Sequence, residues 1–466
     1  MSRAKVGVVS LGCSKNLVDT EVMLGHLDGA GFSFVPQADG ADVLVVNTCA
    51  FIEASREESI RTILDAAALK KEGKLKRLVV AGCMVQRYRA ELEAELSADV
   101  DAFVGLDELH TIVGAVGGVK SDLPILSARA GTPTPSRYLY TSRTPRRLST
   151  SPWTAFVKIA EGCDHTCSFC AIPAFRGTFR SRTPDDIAAE VEALARAGVR
   201  EVNLIAQDSS HYGRDRGDKE GLPGLLRRLD AIEGLRWIRV HYLYPNTVTG
   251  ALVAAMAELP RVVPYVDMPL QHAHPDTLRR MRRGGSGESH LALLDKFRKA
   301  IPGAAMRSTF IVGFPGETDA EFDALLRFVE EARFDHLGVF TYSHEESTGA
   351  FTSIDDVPAS VKESRREALM EAQQRIAFAR NEARVGSEVE VLIEGAHEDT
   401  DDLLVGRMAT QAPDVDGLVI VNDGFVTDEA ASDPRLLPHA RPGALARVVL
   451  TETAGYDLVG RIVGAA

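Results

Sequence analysis

Cys163-Asp-His-Thr-Cys167-Ser-Phe-Cys170 is the stretch on which this sequence turns. Its three thiols fall at C-x3-C-x2-C spacing, directly after an apolar run at residues 155–160 that reads as a buried parallel strand. One short loop carrying three thiolates can grip three corners of a cubane iron–sulfur cluster and leave the fourth iron without a protein ligand. A structural zinc would require a fourth ligand. His165 could supply it, but its place between the first two cysteines makes joint ligation awkward; chance spacing is the remaining alternative.

Strand-like and helix-like segments alternate downstream of this loop. After 155–160 come a helix from Pro184 and further strands at 201–206, 237–240, 265–268, 305–312 and 336–340. Six such units predict an α/β architecture with a partial (β/α)6 barrel, short of the eight that close a complete one. A long charged helix, about 358–384, follows. Upstream, the β-branched runs 5–11, 42–47, 77–81 and 102–104 alternate with amphipathic segments at 16–29, 53–72 and 87–96, with a short helix from Asp107. These predict an open, parallel α/β domain. From residue 385 the period changes. Runs at 388–393, 403–408, 418–421, 446–450 and 458–462 are separated by Gly, Asp and Pro, which predicts a small antiparallel β-barrel. The expected divisions are 1–126, a linker 127–152, 153–384 and 385–466. The linker is rich in Ser, Thr and Pro and holds Arg129, Arg137, Arg143, Arg146 and Arg147 without an acid; it reads as a solvated tether, or else as a basic contact strip.

The composition fits this three-part chain. Of 466 residues 45% are hydrophobic and 26% charged, which excludes collagen-like, disordered and disulfide-scaffold classes. No apolar run approaches the ~18–20 residues of a spanning helix, and the N-terminus lacks a signal-peptide pattern, so a cytoplasmic setting without a membrane partner is expected. In that compartment the six cysteines are thiols or metal ligands. The net charge of −13 argues against a generic nucleic-acid binder. Gly114-Ala-Val-Gly-Gly-Val-Lys-Ser121 lacks the Gly-Lys-Ser order of a phosphate loop and a strong preceding strand, and is rejected as one.

The remaining cysteines, Cys13, Cys49 and Cys83, are far apart in sequence, yet each stands just beyond a predicted parallel strand. Ligand sites in open α/β sheets lie along that edge, so three loops could converge on one metal centre. Taken singly, each would read as a small buried hydrophobe.

The barrel loop resembles that of the radical S-adenosylmethionine enzymes, with Phe169 in the aromatic slot before the last cysteine. Ser10-Leu-Gly-Cys-Ser-Lys-Asn16-Leu-Val-Asp-Thr-Glu21, Asn47-Thr-Cys-Ala-Phe51 and Ala81-Gly-Cys-Met84 resemble the N-terminal domain of the methylthiotransferases, which place it before a radical barrel and a C-terminal TRAM β-barrel. The resemblance covers the chain in domain order and matches all six cysteines. It implies two 4Fe-4S clusters, one on Cys163, Cys167 and Cys170 that cleaves S-adenosylmethionine to a 5′-deoxyadenosyl radical, and one on Cys13, Cys49 and Cys83 whose open iron holds the sulfur, or its methylated form, that is transferred. An electron donor such as a flavodoxin or ferredoxin is expected. Phe169 in the cluster loop is a candidate cofactor contact, and Gln207, Asp208, Gln271 and His272, at predicted strand ends, are candidate cofactor or substrate contacts, or else plain caps. Arg176, Arg180 and Arg182 follow the cluster loop and either meet carboxylates or form a solvated patch.

Methylthiotransferases act on an adenosine of transfer RNA or on an aspartate of ribosomal protein S-twelve. From residue 385 onward fifteen acids face five arginines and no lysine, a net charge of −10. Such a barrel would repel a phosphate backbone and suit a basic protein. The wording of the first cysteine motif and of Leu204-Ile-Ala-Gln-Asp208 also resembles the RimO-type branch, which modifies the ribosomal protein. The chain is therefore expected to methylthiolate the β-carbon of that aspartate. The alternatives are transfer RNA methylthiolation, which the tail charge disfavours, and a non-catalytic iron–sulfur or zinc binding module.

Overall fold

The computed structural model describes residues 4–36, 40–118, 135–426 and 436–466. Its first layer is a parallel sheet of order β2-β1-β3-β4-β5, formed by β1 (Lys5–Ser10), β2 (Ser33–Val35), β3 (Val43–Thr48), β4 (Arg77–Gly82) and β5 (Ala102–Val104). Every residue of β3 is buried, as a central strand covered on both faces requires. Helices α1 (Ser14–Gly29), α2 (Glu53–Lys71) and α3 (Cys83–Leu96) make the crossovers. Sequence periodicity missed β2, a half-exposed edge strand of three residues, and placed the start of α3 four residues late.

The central unit has the six expected parallel strands. β6 (Thr154–Lys158) is followed by the two-residue pair β7 (Ala160–Glu161) and β8 (Arg180–Ser181), then β9 (Glu201–Ile205), β10 (Trp237–Val240), β11 (Tyr265–Asp267), β12 (Ala305–Val312) and β13 (His336–Thr341). The strands form two three-stranded sheets, β10-β9-β6 and β11-β12-β13, linked by an Ile238–Val262 bridge. The barrel stays open between β6 and β13, and the N-terminal domain is clamped to both sides of that opening. On one side Arg146 reaches Glu21 of α1 at 2.6 Å, Glu190 at 2.6 Å and the Phe156 carbonyl at 2.5 Å. On the other, buried Arg87 of α3 donates to Glu345 at 3.1 Å and to the Glu346 carbonyl at 2.8 Å.

Arg146 belongs to the segment expected to be a solvated tether. In its described part, from 135 onward, the chain instead runs as a contact strip: Ser136 binds Asp107, Arg147 pairs with Asp28 and Ser149 binds Glu21. A charged segment without acids is drawn onto a domain seam that offers carboxylates. Arg137 and Arg143 remain exposed, and Arg129 lies outside the described residues.

The tail is a closed five-stranded barrel of order β14-β15-β16-β18-β17, from β14 (Glu388–His397), β15 (Thr400–Met408), β16 (Val419–Asp423), β17 (Leu445–Ala454) and β18 (Asp457–Ala465). Four pairings are antiparallel and the β16–β18 pairing is parallel. A ring with an odd number of strands cannot alternate direction all the way round, so one parallel seam is unavoidable. This barrel plugs the strand-start end of the central unit. Arg407 reaches Glu201 at 2.6 Å, Glu390 meets the Trp237 indole, Asp416 accepts from the Tyr265 hydroxyl at 2.6 Å, and Thr410 meets His336. The acids Glu390, Glu394 and Asp416 are thereby turned onto this seam. Among the described residues, no helix is long and apolar enough to cross a membrane.

Candidate active site

The open sheet places Cys13, Cys49 and Cys83 at the carboxyl ends of the adjacent strands β1, β3 and β4. Two of the turns depend on glycine. Gly12 (φ +88°) packs where a Cβ would lie 2.8 Å from Cys49 Sγ, and Gly82 (φ +100°) where it would lie 2.2 Å from Asn47 Oδ1. Asn16 ties the three loops together. Its amide donates to the Leu11 carbonyl at 2.7 Å and the Thr48 carbonyl at 3.3 Å, and its Oδ1 accepts from Cys83 Sγ at 3.8 Å. Asn47 donates back to the Asn16 carbonyl at 2.9 Å. The Asn residues of the quoted motifs thus hold the turns in place.

The second triad sits on the loop between β7 and the helix Ile172–Arg176. Gly162 (φ +81°) approaches the Thr178 carbonyl, where a Cβ would lie 2.0 Å away, and so aims Cys163 into the loop. The Ser168 N–H donates to the Met281 carbonyl at 3.0 Å and its hydroxyl to the Arg280 carbonyl at 2.8 Å. Phe169 packs partly buried against the apolar group of Met281, Phe314, Tyr342 and Ala350, so it anchors the loop. A glycine in the left-handed region directly before the cysteine therefore recurs at Cys13, Cys83 and Cys163. That Gly-Cys signal is visible in the sequence at 12–13, 82–83 and 162–163.

A buried network links the Cys83 loop to β7, which ends two residues before Cys163. Lys158 Nζ contacts Asp19 at 2.5 Å and Glu161 at 2.9 Å. Arg176, on α5 (Ile172–Arg176, with α4 being Ile112–Gly117), reaches Glu161 at 3.0 Å, Asp19 at 3.1 Å and Cys83 Sγ at 3.0 Å. Burial alone would raise the Glu161 carboxyl; Arg176 and Lys158 overturn this and hold it well below the usual range. Arg182 likewise meets Glu190 at 2.5 Å, while Arg180 contacts main-chain carbonyls. Carboxylate partners, not a solvated patch, thus account for Arg176 and Arg182. The sequence clue was a lysine within the apolar strand Thr154–Lys158.

The other candidates divide. Gln207 donates to Glu161 at 2.6 Å and leaves its buried Oε1 without a partner. Gln271 has φ +72°, uncommon for a residue with a Cβ and concentrated at functional sites. Asp208 accepts from Ser210 at 2.5 Å, caps the turn Ser209–His211 and lies 2.7 Å from His165 Nε2; the His165 ring stacks on Tyr244 at 3.8 Å. His272 is fully enclosed; its Nδ1 accepts from the His274 N–H at 3.0 Å, and its buried Nε2 has no hydrogen-bond partner and lies 3.5 Å from Glu317.

The donor set fits iron–sulfur ligation. Burial pushes Cys163 up to about 11, and Cys83 and Cys170 up to about 12; Arg176 opposes the rise at Cys83. Cys13 is open to solvent yet hemmed in; there Lys15 and Arg176, with main-chain N–H donors, outweigh desolvation and lower its pKa. A single tetrahedral ion needs thiolates about 4 Å apart, given zinc–sulfur bonds of about 2.3 Å. Among the described residues, the groups with three ligand atoms within 4.8 Å of one another are His165-Asp208-His211 and His274-Asp276-Glu321, and neither cysteine triad is that tight.

Known proteins bear the same stamp. Residues 5–105 match the model of Uncharacterized protein family UPF0004, residues 157–329 the Radical SAM superfamily, and residues 385–463 the TRAM domain. The chain is 46% identical over 461 residues to the ribosomal protein uS12 methylthiotransferase RimO of Solibacter usitatus, covering 98% of this chain and 95% of that one. It is 47% identical over 459 residues to RimO of Anaeromyxobacter sp. strain K, covering 98% and 93%. Among solved structures, the radical S-adenosylmethionine methyltransferase TsrM of Kitasatospora setae aligns with a TM-score of 0.53 at 16% identity over 73% of this chain and 75% of that one, a likeness of fold alone. On identity sustained along almost its whole length, the chain belongs to the RimO family of ribosomal protein uS12 methylthiotransferases.

Proposed function

We propose that this chain methylthiolates the β-carbon of an aspartate in ribosomal protein uS12, with one 4Fe-4S cluster on Cys163, Cys167 and Cys170 and a second on Cys13, Cys49 and Cys83. The observation that carries the reading is the shared junction: Arg176, from the barrel, touches Cys83 of the N-terminal domain at 3.0 Å while also binding Glu161, two residues before Cys163. When bound, the clusters and S-adenosylmethionine supply hydrogen abstraction on the barrel side and the methylthio sulfur on the N-terminal side.

The chain's own residues arrange this junction. The turns at Gly12, Gly82 and Gly162 aim three of the thiols. Lys158, Asp19, Glu161 and Arg176 lock the two walls together and keep water out of the seam. The unpartnered Oε1 of Gln207 and the strained Gln271 are the side chains offered to cofactor or substrate, whereas Asp208 and Phe169 hold the cysteine loop from behind.

The acidic tail favours a basic ribosomal protein over transfer RNA. It docks at the strand-start end, away from the thiols, and so would act as a distant anchor. A flavodoxin or ferredoxin is the expected electron donor. Mass spectrometry of uS12 from cells with and without this gene tests the reading. A methylthio increment present only with the gene is expected; unmodified uS12 in both, with a methylthiolated transfer RNA lost on deletion, would replace it with the RNA reading.

A further inference from the structure

We propose that Arg176 is a positioning residue that makes the barrel domain part of the N-terminal centre and raises that centre's reduction potential. The inference rests on the two-cluster reading above and goes beyond ligation.

Four observations carry it. First, Arg176 comes from the barrel, on α5, six residues after Cys170, yet its Nη2 lies 3.0 Å from Cys83 Sγ. Second, the side chain is almost fully buried and its fork is fixed by Glu161 at 3.0 Å and Asp19 at 3.1 Å, so it has no freedom to swing away. Third, Lys158, Arg176, Asp19 and Glu161 together are formally neutral, but the guanidinium edge is the part that meets the thiol. The group therefore presents a positive pole to Cys83 within a buried seam, where charge acts more strongly than in water. Fourth, the two triads are unequal. The corresponding arginine on the barrel side, Arg283, stands 3.8 Å from Cys167 Sγ and donates mainly to the Pro269 carbonyl at 2.6 Å.

A fixed positive charge and an N–H donor at a cysteine ligand stabilise the more negative, reduced state of an iron–sulfur centre and raise its potential. A guanidinium does this with a rigid fork that an ammonium cannot reproduce. Arg176 starts from the helix that begins two residues after Cys170. The donor centre's electronics are thus set by the wall that carries the radical-generating site.

The test is a reductive titration of the anaerobically loaded full chain, each electron coming from dithionite, followed by electron paramagnetic resonance. Cys163, Cys167 and Cys170 are replaced by Ala so that only the N-terminal centre reports. Arg176→Gln should move its midpoint to more negative potential, and Arg176→Lys should fall between Gln and wild type. Should the Gln variant fail to fold, the Lys variant alone must still shift. Arg146→Met loosens the same domain seam through Glu21 and Glu190 without reaching Cys83, and should shift the midpoint less than Arg176→Gln. An unmoved midpoint in both Arg176 variants overturns the proposal, as does an equal shift in Arg146→Met; either result leaves the two-cluster reading standing. A background chain with wild-type Arg176 that binds no iron–sulfur centre overturns that reading as well.

Discussion

The two cysteine triads reach one junction by opposite routes. Cys163, Cys167 and Cys170 sit on one loop, and the separations between them are a property of eight consecutive residues. Cys13, Cys49 and Cys83 meet only because three neighbouring parallel strands end side by side. The first triad is therefore a local object and the second a tertiary one. The local triad needs a short loop anchored at Ser168 and Phe169. The dispersed triad is placed by the sheet register and the Asn16 and Asn47 ties, and an arginine from another domain touches its Cys83.

Three experiments break or sharpen this contrast. The largest effect comes from removing a ligand. Cys163→Ala should reduce 5′-deoxyadenosine formation to background, while Cys49→Ala should spare that cleavage and still abolish methylthiolation, as read by product chromatography and mass spectrometry. If both variants lost cleavage equally, the division of labour between the triads would be wrong.

A smaller effect tests tertiary dependence. Gly82→Ala puts a Cβ into Asn47 Oδ1 at a φ of +100°, a combined strain of about 1–3 kcal/mol. Bound iron should fall from about eight to about four atoms per chain, with 5′-deoxyadenosine formation retained. Full iron in that variant would mean the dispersed triad tolerates a misplaced loop.

The smallest effect on iron loading lies at the seam under the tail barrel, at the strand-start end of the central unit, and serves as the triads' control. Glu201 is enclosed between Arg407 and Arg239. Its burial would raise the carboxyl, but the two guanidinium groups hold it down at about 2 against an ordinary 4.5. A lowered carboxyl stabilises the fold above the unfolded-state value and loses that stabilisation as pH falls through the folded one. Removing the charge with Glu201→Gln should therefore cost ~3 kcal/mol near neutral pH. The gap between wild type and variant in urea unfolding should close between about pH 4.5 and about pH 2. Iron loading at neutral pH should stay at wild-type level; a loss would mean the tail barrel also shapes the triads.

Much of this could be read without coordinates. The six barrel strands, the long helix Ala359–Glu382 and the tail strands announce themselves through β-branched runs and period changes. β2 escaped because three half-exposed residues carry no period. The parallel β16–β18 seam escaped because strand direction is a property of closure and not of any one strand. The segment before the barrel reads as a solvated tether or as a basic contact strip, because Ser, Thr, Pro and Arg suit either; nothing local reveals that Arg146 meets Glu21 and Glu190. His272 reads as a contact at a strand end or as a plain cap, and no local signal reveals that its ring is enclosed beside Glu317.

By itself the sequence determined which atoms could do chemistry: six thiols, one set spaced for a cluster and the other placed at strand ends, in an order of domains that patterning made legible. The tertiary structure alone decided who faces whom. It set Arg176 against Cys83, buried Lys158 between Asp19 and Glu161, and sent the acidic tail barrel to the end of the central unit opposite the thiols. Periodicity along a chain reports which faces a segment buries, whereas partners separated by more than ninety residues are selected only when packing brings their elements together.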